Sequence, residues 1–253
     1  MSERLHKVIA RSGFASRRRA EELIAAARVT VDGETAVVGV RVDPESARIE
    51  IDGVPLPVRP GLVYLLLHKP AGVVSTASDP QGRPTVVDLA ERGDRVFPVG
   101  RLDADSEGLM LLTNDGDLAH RLTHPSFGVT KTYAVLVAGE VDRASVRRLV
   151  AGVDLDDGPA AAQSARLIDR RPDRSLLEIV MSEGRKRQVR RMCDAIGHPV
   201  VHLTRTAIGQ LRDANLRAGD VRPLTVTEVR ELYAAGGEPY DAASPEAPEP
   251  VDP

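Results

Sequence analysis

Apolar positions recur with two different periods along this chain, and the change between them divides it. At the start Leu5, Val8 and Ile9 keep helical spacing, and Gly13 is placed to end that helix. Ser16 is placed to cap a second helix over Arg17 to Ala27, with Leu23 and Ile24 as its apolar side. A short strand, Val29 to Val31, runs into an Asp32-Gly33 turn, and two-residue alternation returns from Ala47 to Ile51 before Asp52-Gly53. Pro55, Pro57 and Pro60 read as a linker, so residues 1–59 form a small first unit. From there to residue 233, strand and helix signals alternate at irregular spacing. Strands are predicted at Val63 to His68, Phe97 to Leu102, Leu109 to Leu112, Thr132 to Val137, Leu176 to Met181 and Val200 to Ile208. Helices are predicted at Asp115 to Thr123, Arg143 to Val150, Lys186 to Ile196 and Val226 to Ala234, the last opened by a Thr225/Glu228 capping box. So few long helices among so many strands predict an α+β fold with a mainly antiparallel sheet in this second unit, residues 60–233. Residues 234–253 hold five acidic residues, five prolines and no base, the composition of an acidic, proline-rich disordered tail.

The rest of the composition narrows the chemistry. With 42% hydrophobic and 28% charged residues in 253, the chain has enough apolar surface for a packed core. Its one cysteine, Cys193, excludes an intramolecular disulfide framework and a multi-cysteine zinc cluster, as expected in a reducing compartment. The first residues are charged and lack an apolar stretch, so no secretory signal is expected, and no apolar run reaches the roughly 18 residues that span a bilayer. A soluble cytoplasmic monomer with no membrane association is the expectation. The net charge of -3 speaks against a nucleic-acid partner until it is divided by region. The last twenty residues carry -5, which leaves the body at +2, and within the body the bases are clustered. Residues 1–31 hold seven Lys/Arg against three Glu, and residues 185–230 hold ten against four acids, the electrostatic footprint of a nucleic-acid binder. The helix pair that carries Lys7, Arg11, Arg17, Arg18 and Arg19 ahead of a small sheet resembles the S4 RNA-binding domain. That resemblance implies that these five residues grip structured RNA, chiefly through its phosphates.

The segment from Gly100 to Leu109, GRLDADSEGL, sets carboxylates in a loop between two apolar strands, where catalytic groups tend to sit. Asp103, Asp105 and Glu107 alone allow several chemistries, including the paired acid and base of a glycosidase. The set of segments is more specific: HKPAGVVST at His68 to Thr76, DPQGRPTVVDL at Asp79 to Leu89, VGRLDADSEGLMLLTNDG at Val99 to Gly116, KTYAV at Lys131 to Val135 and EGRKRQVRRM at Glu183 to Met192. With the S4-like start, they make the chain resemble the RsuA/RluB-type ribosomal RNA pseudouridine synthases from residue 1 to about Tyr233.

The resemblance implies conversion of a specific uridine in ribosomal RNA to pseudouridine, with Asp103 as catalytic carboxylate. Attack on the base, attack at the sugar C1′ and general-base work on the sugar all stay open. It also implies that Arg190 pairs with Asp103 and that Tyr133 packs against the flipped base, which needs a stacking surface once it leaves its own. Independently of the family, Val189, Met192, Cys193 and Ile196 form an apolar helical stripe. Arg190 lies at its border and is expected to reach inward, whereas Arg187 and Arg191 lie opposite, towards phosphate or water. Arg101, Lys69, Pro70 and Gly72 read as structural or phosphate-contacting, and Gln188 as ordering its loop. His120 and His124 are four residues apart on a predicted helix but have no third metal ligand, and no nucleotide-binding glycine motif occurs, so neither metal nor organic cofactor is expected. The HPSFGVTKTYAVLVAGEV stretch points to the large-subunit, 23S branch rather than 16S rRNA. The rivals are a non-enzymatic S4-type RNA-binding or ribosome-assembly factor, which would not need Asp103, Tyr133 and Arg190 together, and a glycoside hydrolase using Asp103 and Glu107, which leaves both basic regions unexplained.

Overall fold

A computed structural model describes residues 2–12, 14–44, 46–56, 62–90 and 95–235. Gly13, the linker prolines Pro57 and Pro60, the Arg11 side chain and the tail from residue 236 onward lie outside the described residues. The first unit runs β1 (Glu3–Arg4), α1 (Leu5–Arg11), α2 (Arg17–Ala25), β2 (Val29–Val31), β3 (Glu34–Thr35), β4 (Arg41–Val42), β5 (Ile49–Ile51) and β6 (Val54–Pro55). Ser16 caps α2 as its sequence predicts, its side chain accepting from Arg19 N at 3.2 Å. Both Asp-Gly turns take positive φ at both residues, +53° and +86° at Asp32 and Gly33, +54° and +73° at Asp52 and Gly53. That conformation matches the twist of the hairpins they close, in a sheet of order β3-β2-β5-β6. Leu5, Val8, Ile9, Ala20, Leu23 and Ile24 from the helices pack on Val29, Ile49 and Ile51, a core of the unit's own.

The second unit continues with β7 (Tyr64–Lys69), β8 (Phe97–Val99), β9 (Glu107–Thr113), α3 (Gly116–Thr123), β10 (Lys131–Ala138), α4 (Arg143–Ala151), β11 (Val153–Leu155), β12 (Gly158–Ala160), β13 (Ser164–Arg170), β14 (Arg174–Met181), α5 (Gln188–Ala195), β15 (Val200–Ile208), β16 (Leu211–Arg212), β17 (Val221–Pro223) and α6 (Val226–Ala234). Nine of these strands make one sheet, ordered β13-β14-β10-β15-β9-β7-β17, with β16 on β15 and β8 on β9. Every named pairing is antiparallel except β15 with β9, where Thr204 faces Glu107 and Arg205 faces Gly108. Leu66, Leu109 and Leu111 belong to one core cluster, and Leu65, Leu67, Met110 and Leu112 to another, so the sheet centre is covered on both faces. A third cluster packs Val189, Met192, Cys193 and Ile196 on Leu177, Ile179 and Met181, the apolar stripe read from the sequence.

Several predicted elements are shorter than expected: α2 stops at Ala25 rather than Ala27, whose φ is 57°, β5 begins at Ile49 rather than Ala47, and two more are cut short around the site. The strand from Phe97 ends at Val99, because Gly100 turns the chain with φ +73°. The helix predicted from Lys186 begins at Gln188, because Arg187 sits in the left-handed region at φ 50°. The two units touch: the Arg230 guanidinium lies 3.8 Å from the centre of the Phe14 ring, and Val54 packs on the core beneath α6.

Candidate active site

The loop from Gly100 to Ser106 leaves β8 and returns into β9, the strand at the parallel joint of the sheet. It is fastened along its whole length. Leu102 donates its N–H to Ser75 Oγ at 3.1 Å, and that hydroxyl donates back to Leu102 O at 2.7 Å. Gly72 N–H reaches Ala104 O at 2.7 Å, and Ser106 N–H closes a turn on Asp103 O at 3.0 Å. Lys69, with no exposed surface, donates Nζ to the carbonyls of Pro70 (3.0 Å), Ala104 (3.4 Å) and Ser106 (2.7 Å). Burial pushes this ammonium down to about 8, against the opposing pull of Asp105, Glu107 and Asp103. The structural reading of Lys69 and Gly72 thus has a definite content: both hold the carboxylate loop through its backbone.

α5 grips the same loop from the other side. The buried Arg190 donates Nη2 to Asp105 O at 3.1 Å and Ser106 Oγ at 3.2 Å, and lies 3.3 Å from the Asp105 carboxylate. This corrects the expected Arg190–Asp103 pair. The guanidinium nearest Asp103 is that of Arg187, 3.9 Å from Asp103 Oδ2 and bonded to both Asp105 oxygens at 3.2 and 3.1 Å. Arg187 stays exposed, as its wheel position implied, but the left-handed turn before α5 also brings it back over the loop to these carboxylates. Burial opposes ionisation of Asp105, but the bonds from Arg187 and the charge of Arg190 outweigh it and hold that carboxyl below the usual range. Arg191 also departs from expectation. It makes two 2.8 Å bonds to Asp157, in the turn between β11 and β12, and latches that hairpin to the helix. Gln188 accepts from Arg185 N at 2.9 Å and donates to Glu183, ordering the 183–187 loop.

Between the two loops lies a cavity of about 510 Å³, lined by Asp103, Arg101, Tyr133 and Arg187 among others. That volume falls in the roughly 300 to 1,000 Å³ typical of small-ligand sites. Its walls are apolar where Leu102, Leu111, Leu122, Met181, Leu203 and Ile208 face it. Tyr133 is the one aromatic among the described lining residues, half-buried on β10. Asp103 is also half-buried, its side chain 26% exposed. Sequence reasoning did not single out two further cations of this cavity, Lys131 on β10 and Arg205 on β15. A signal existed for the second: Leu203, Arg205 and Ala207 alternate as buried positions, so an arginine stands where an apolar residue is due.

The first unit presents Lys7, Arg17 and Arg18 exposed, whereas Arg19 pairs with Glu22 at 2.9 Å one turn along α2. Among the described residues, no helix is long and apolar enough to cross a membrane.

A carboxylate fixed by its backbone, beside an aromatic face in an apolar cavity ringed by cations, can hold a planar base and act on it or on its sugar. Comparison with known proteins places this arrangement. The family described as RNA pseudouridylate synthase matches residues 63–195, and the S4 domain matches residues 3–47. An uncharacterized RNA pseudouridine synthase of Mycobacterium leprae is 49% identical over 239 residues, covering 92% of this chain and 93% of the other. Ribosomal large subunit pseudouridine synthase B of Bacillus subtilis is 44% identical over 236 residues, covering 92% and 96%. A crystal structure of a pseudouridylate synthase superposes with a TM-score of 0.61 at 33% identity, over 90% of this chain and 99% of that one. The chain belongs to the RNA pseudouridylate synthase family and carries an S4 domain at its start.

Proposed function

We propose that this RNA pseudouridine synthase modifies one uridine of 23S ribosomal RNA, with Asp103 as its catalytic carboxylate. The observation that carries the reading is the seating of Asp103, on a loop tied down by Lys69, Ser75 and Arg190, in the same cavity as Tyr133. In the reaction the bond between uracil N1 and ribose C1′ breaks, the base turns, and C5 bonds to C1′. The proton lost from C5 is balanced by one gained at N1. Tyr133 supplies the face on which the extruded base stacks, offsetting the few kcal/mol of lost stacking. Arg190 is a positioning residue that acts through the loop backbone, and Arg187 is the cation beside Asp103.

Residues 1–59 dock the enzyme through Lys7, Arg11, Arg17, Arg18 and Arg19, contacts to phosphate that fix position rather than sequence. Residues 60–233 extrude and isomerise the uridine, with Arg101 on phosphate at the rim. Arg191, spent on Asp157, belongs to the scaffold. The large-subunit target is supported by relatives named ribosomal large subunit pseudouridine synthase B in Bacillus subtilis and Escherichia coli O157:H7, both 44% identical. Pseudouridine mapping of total rRNA from cells with and without the gene tests this. One 23S site should disappear, and loss of a 16S or tRNA site instead would overturn the large-subunit assignment.

A further inference from the structure

Lys131 and Arg205 stand apart from the other cations of the cavity. Arg101, Lys186 and Arg187 are exposed at its rim, whereas Arg205 is only 4% exposed and Lys131 is half-buried. Arg205 lies opposite Tyr133 in the β10–β15 register, and Lys131 is two residues before that tyrosine on the same strand. Neither has a carboxylate within ion-pair distance among the described residues. Their only bonds there are to carbonyls: Lys131 Nζ donates to Val129 O at 2.7 Å, and Arg205 Nε to Leu109 O at 2.7 Å. Arg205 Nη2 is buried with no acceptor at all. A buried and a half-buried cation side by side without a counter-charge are costly, and burial together with the Arg205 charge pushes the Lys131 ammonium down to about 8. A ligand that brings negative charge between them would relieve that cost.

We propose that Lys131 and Arg205 form an anion subsite for the uracil ring, stabilising the negative charge the ring carries while its bond to ribose is broken. The inference rests on the reading of Asp103 as the carboxylate that acts on uridine. Either order of attack leaves negative charge on the ring, by different electron movements. If the carboxylate acts at C1′ or on the sugar, the N1–C1′ pair departs with uracil and spreads over N1, O2 and O4. If it adds at C6, the C5–C6 π pair moves to C5 and O4. In both cases negative charge collects on ring oxygens that fixed buried donors stabilise more strongly than water would. Uracil fits the subsite better than a phosphodiester does. The subsite shares a strand face with Tyr133 inside an apolar cavity, and a hydrated phosphate is served by the exposed rim cations instead.

Two measurements test it. In single-turnover assays on rRNA from cells lacking the gene, Lys131→Met should slow pseudouridine formation about 100-fold, the usual loss for one such donor. RNA affinity should stay within about twofold, and Lys131→Arg should recover to within about tenfold of wild type. An unchanged rate overturns the proposal. So does weakened RNA binding at an unchanged rate, which would make the pair a phosphate site. Calorimetric titration with barbiturate, a planar uracil analogue that is anionic at neutral pH, provides a readout independent of turnover. Wild type should bind it at least about tenfold more tightly than neutral uracil, and Lys131→Met or Lys131→Gln should lose that preference. Equal binding of the two by wild type overturns the subsite even if the enzyme proves active. An inactive wild type that still prefers barbiturate would leave the subsite standing and count against the substrate instead.

Discussion

Lys69 and Lys131 carry ammonium groups that burial holds near 8, well under the roughly 10.4 of an unfolded lysine. Between those values the unfolded chain binds more protons than the folded one, so the contribution of both lysines to stability grows as the pH rises from about 8 towards about 10. The relief comes from neutralising a desolvated charge; above about 10 the half-buried Tyr64 and the buried Tyr233, both raised by burial and by Asp115, reverse it. Urea midpoints at about pH 7.5 and about pH 9.5 should therefore rise more in wild type than in Lys131→Met, and parallel curves would contradict the assignment. At this scale the contiguous, distinctive motifs singled out Asp103 and Tyr133, and the structure puts both on one cavity. Arg190 was found as an inward residue but given the wrong partner. Asp105, two residues on, competes for the same guanidinium, and the outcome depends on the left-handed turn at Arg187, which a helical wheel assumes away. Arg205 breaks the alternation of Leu203 and Ala207 and so was visible as an oddity, but that it meets no carboxylate shows only in the packed sheet.

The elements hold this geometry through one tight junction. Where β15 runs parallel to β9, a Cβ at Gly108 would collide with the backbone N, C and O of Arg205, and Gly108 has φ +109°. Both the steric clash and the left-handed backbone oppose any side chain there. Gly108→Ala should cost at least about 2 kcal/mol of stability and displace both the carboxylate loop and Arg205. A thermal midpoint within a degree or so of wild type, with full activity, would contradict it. Among the described residues, eight of the seventeen strands and all six helices were legible from period and turn signals, and Ser16, Asp115, Asp142 and Thr225 each accept from the first turn of their helix. The strands β11, β12 and β13 were not foreseen, nor were the two- and three-residue strands β1, β3, β4, β6, β16 and β17. β13 is an exposed edge whose alternation is weak, and the β11–β12 hairpin is held by Asp157 reaching to Arg191 and Arg185 on a distant segment. Such long-range pairing leaves no local period to read.

Across the whole molecule the charge that looked unfavourable for RNA is divided by position. Exposed Lys7, Arg17 and Arg18 sit on the S4 domain and the cationic cavity rim on the catalytic unit, while the acidic residues of 236–253 lie outside the described residues. Deleting 236–253 should leave turnover unchanged and tighten nonspecific RNA binding at low salt, where phosphate contacts dominate. Weaker binding after deletion, measured by a salt titration, would mean that the segment contributes contacts of its own. The contact of Phe14 with Arg230 and the packing of Val54 beneath α6 join the S4 domain to the catalytic unit. The central claim, that Asp103 carries the chemistry at that second site, is tested most directly by one variant. Asp103→Asn, assayed on rRNA from cells lacking the gene, should form no pseudouridine while binding the RNA about as tightly as wild type. Pseudouridine formed at the wild-type position by that variant would contradict it.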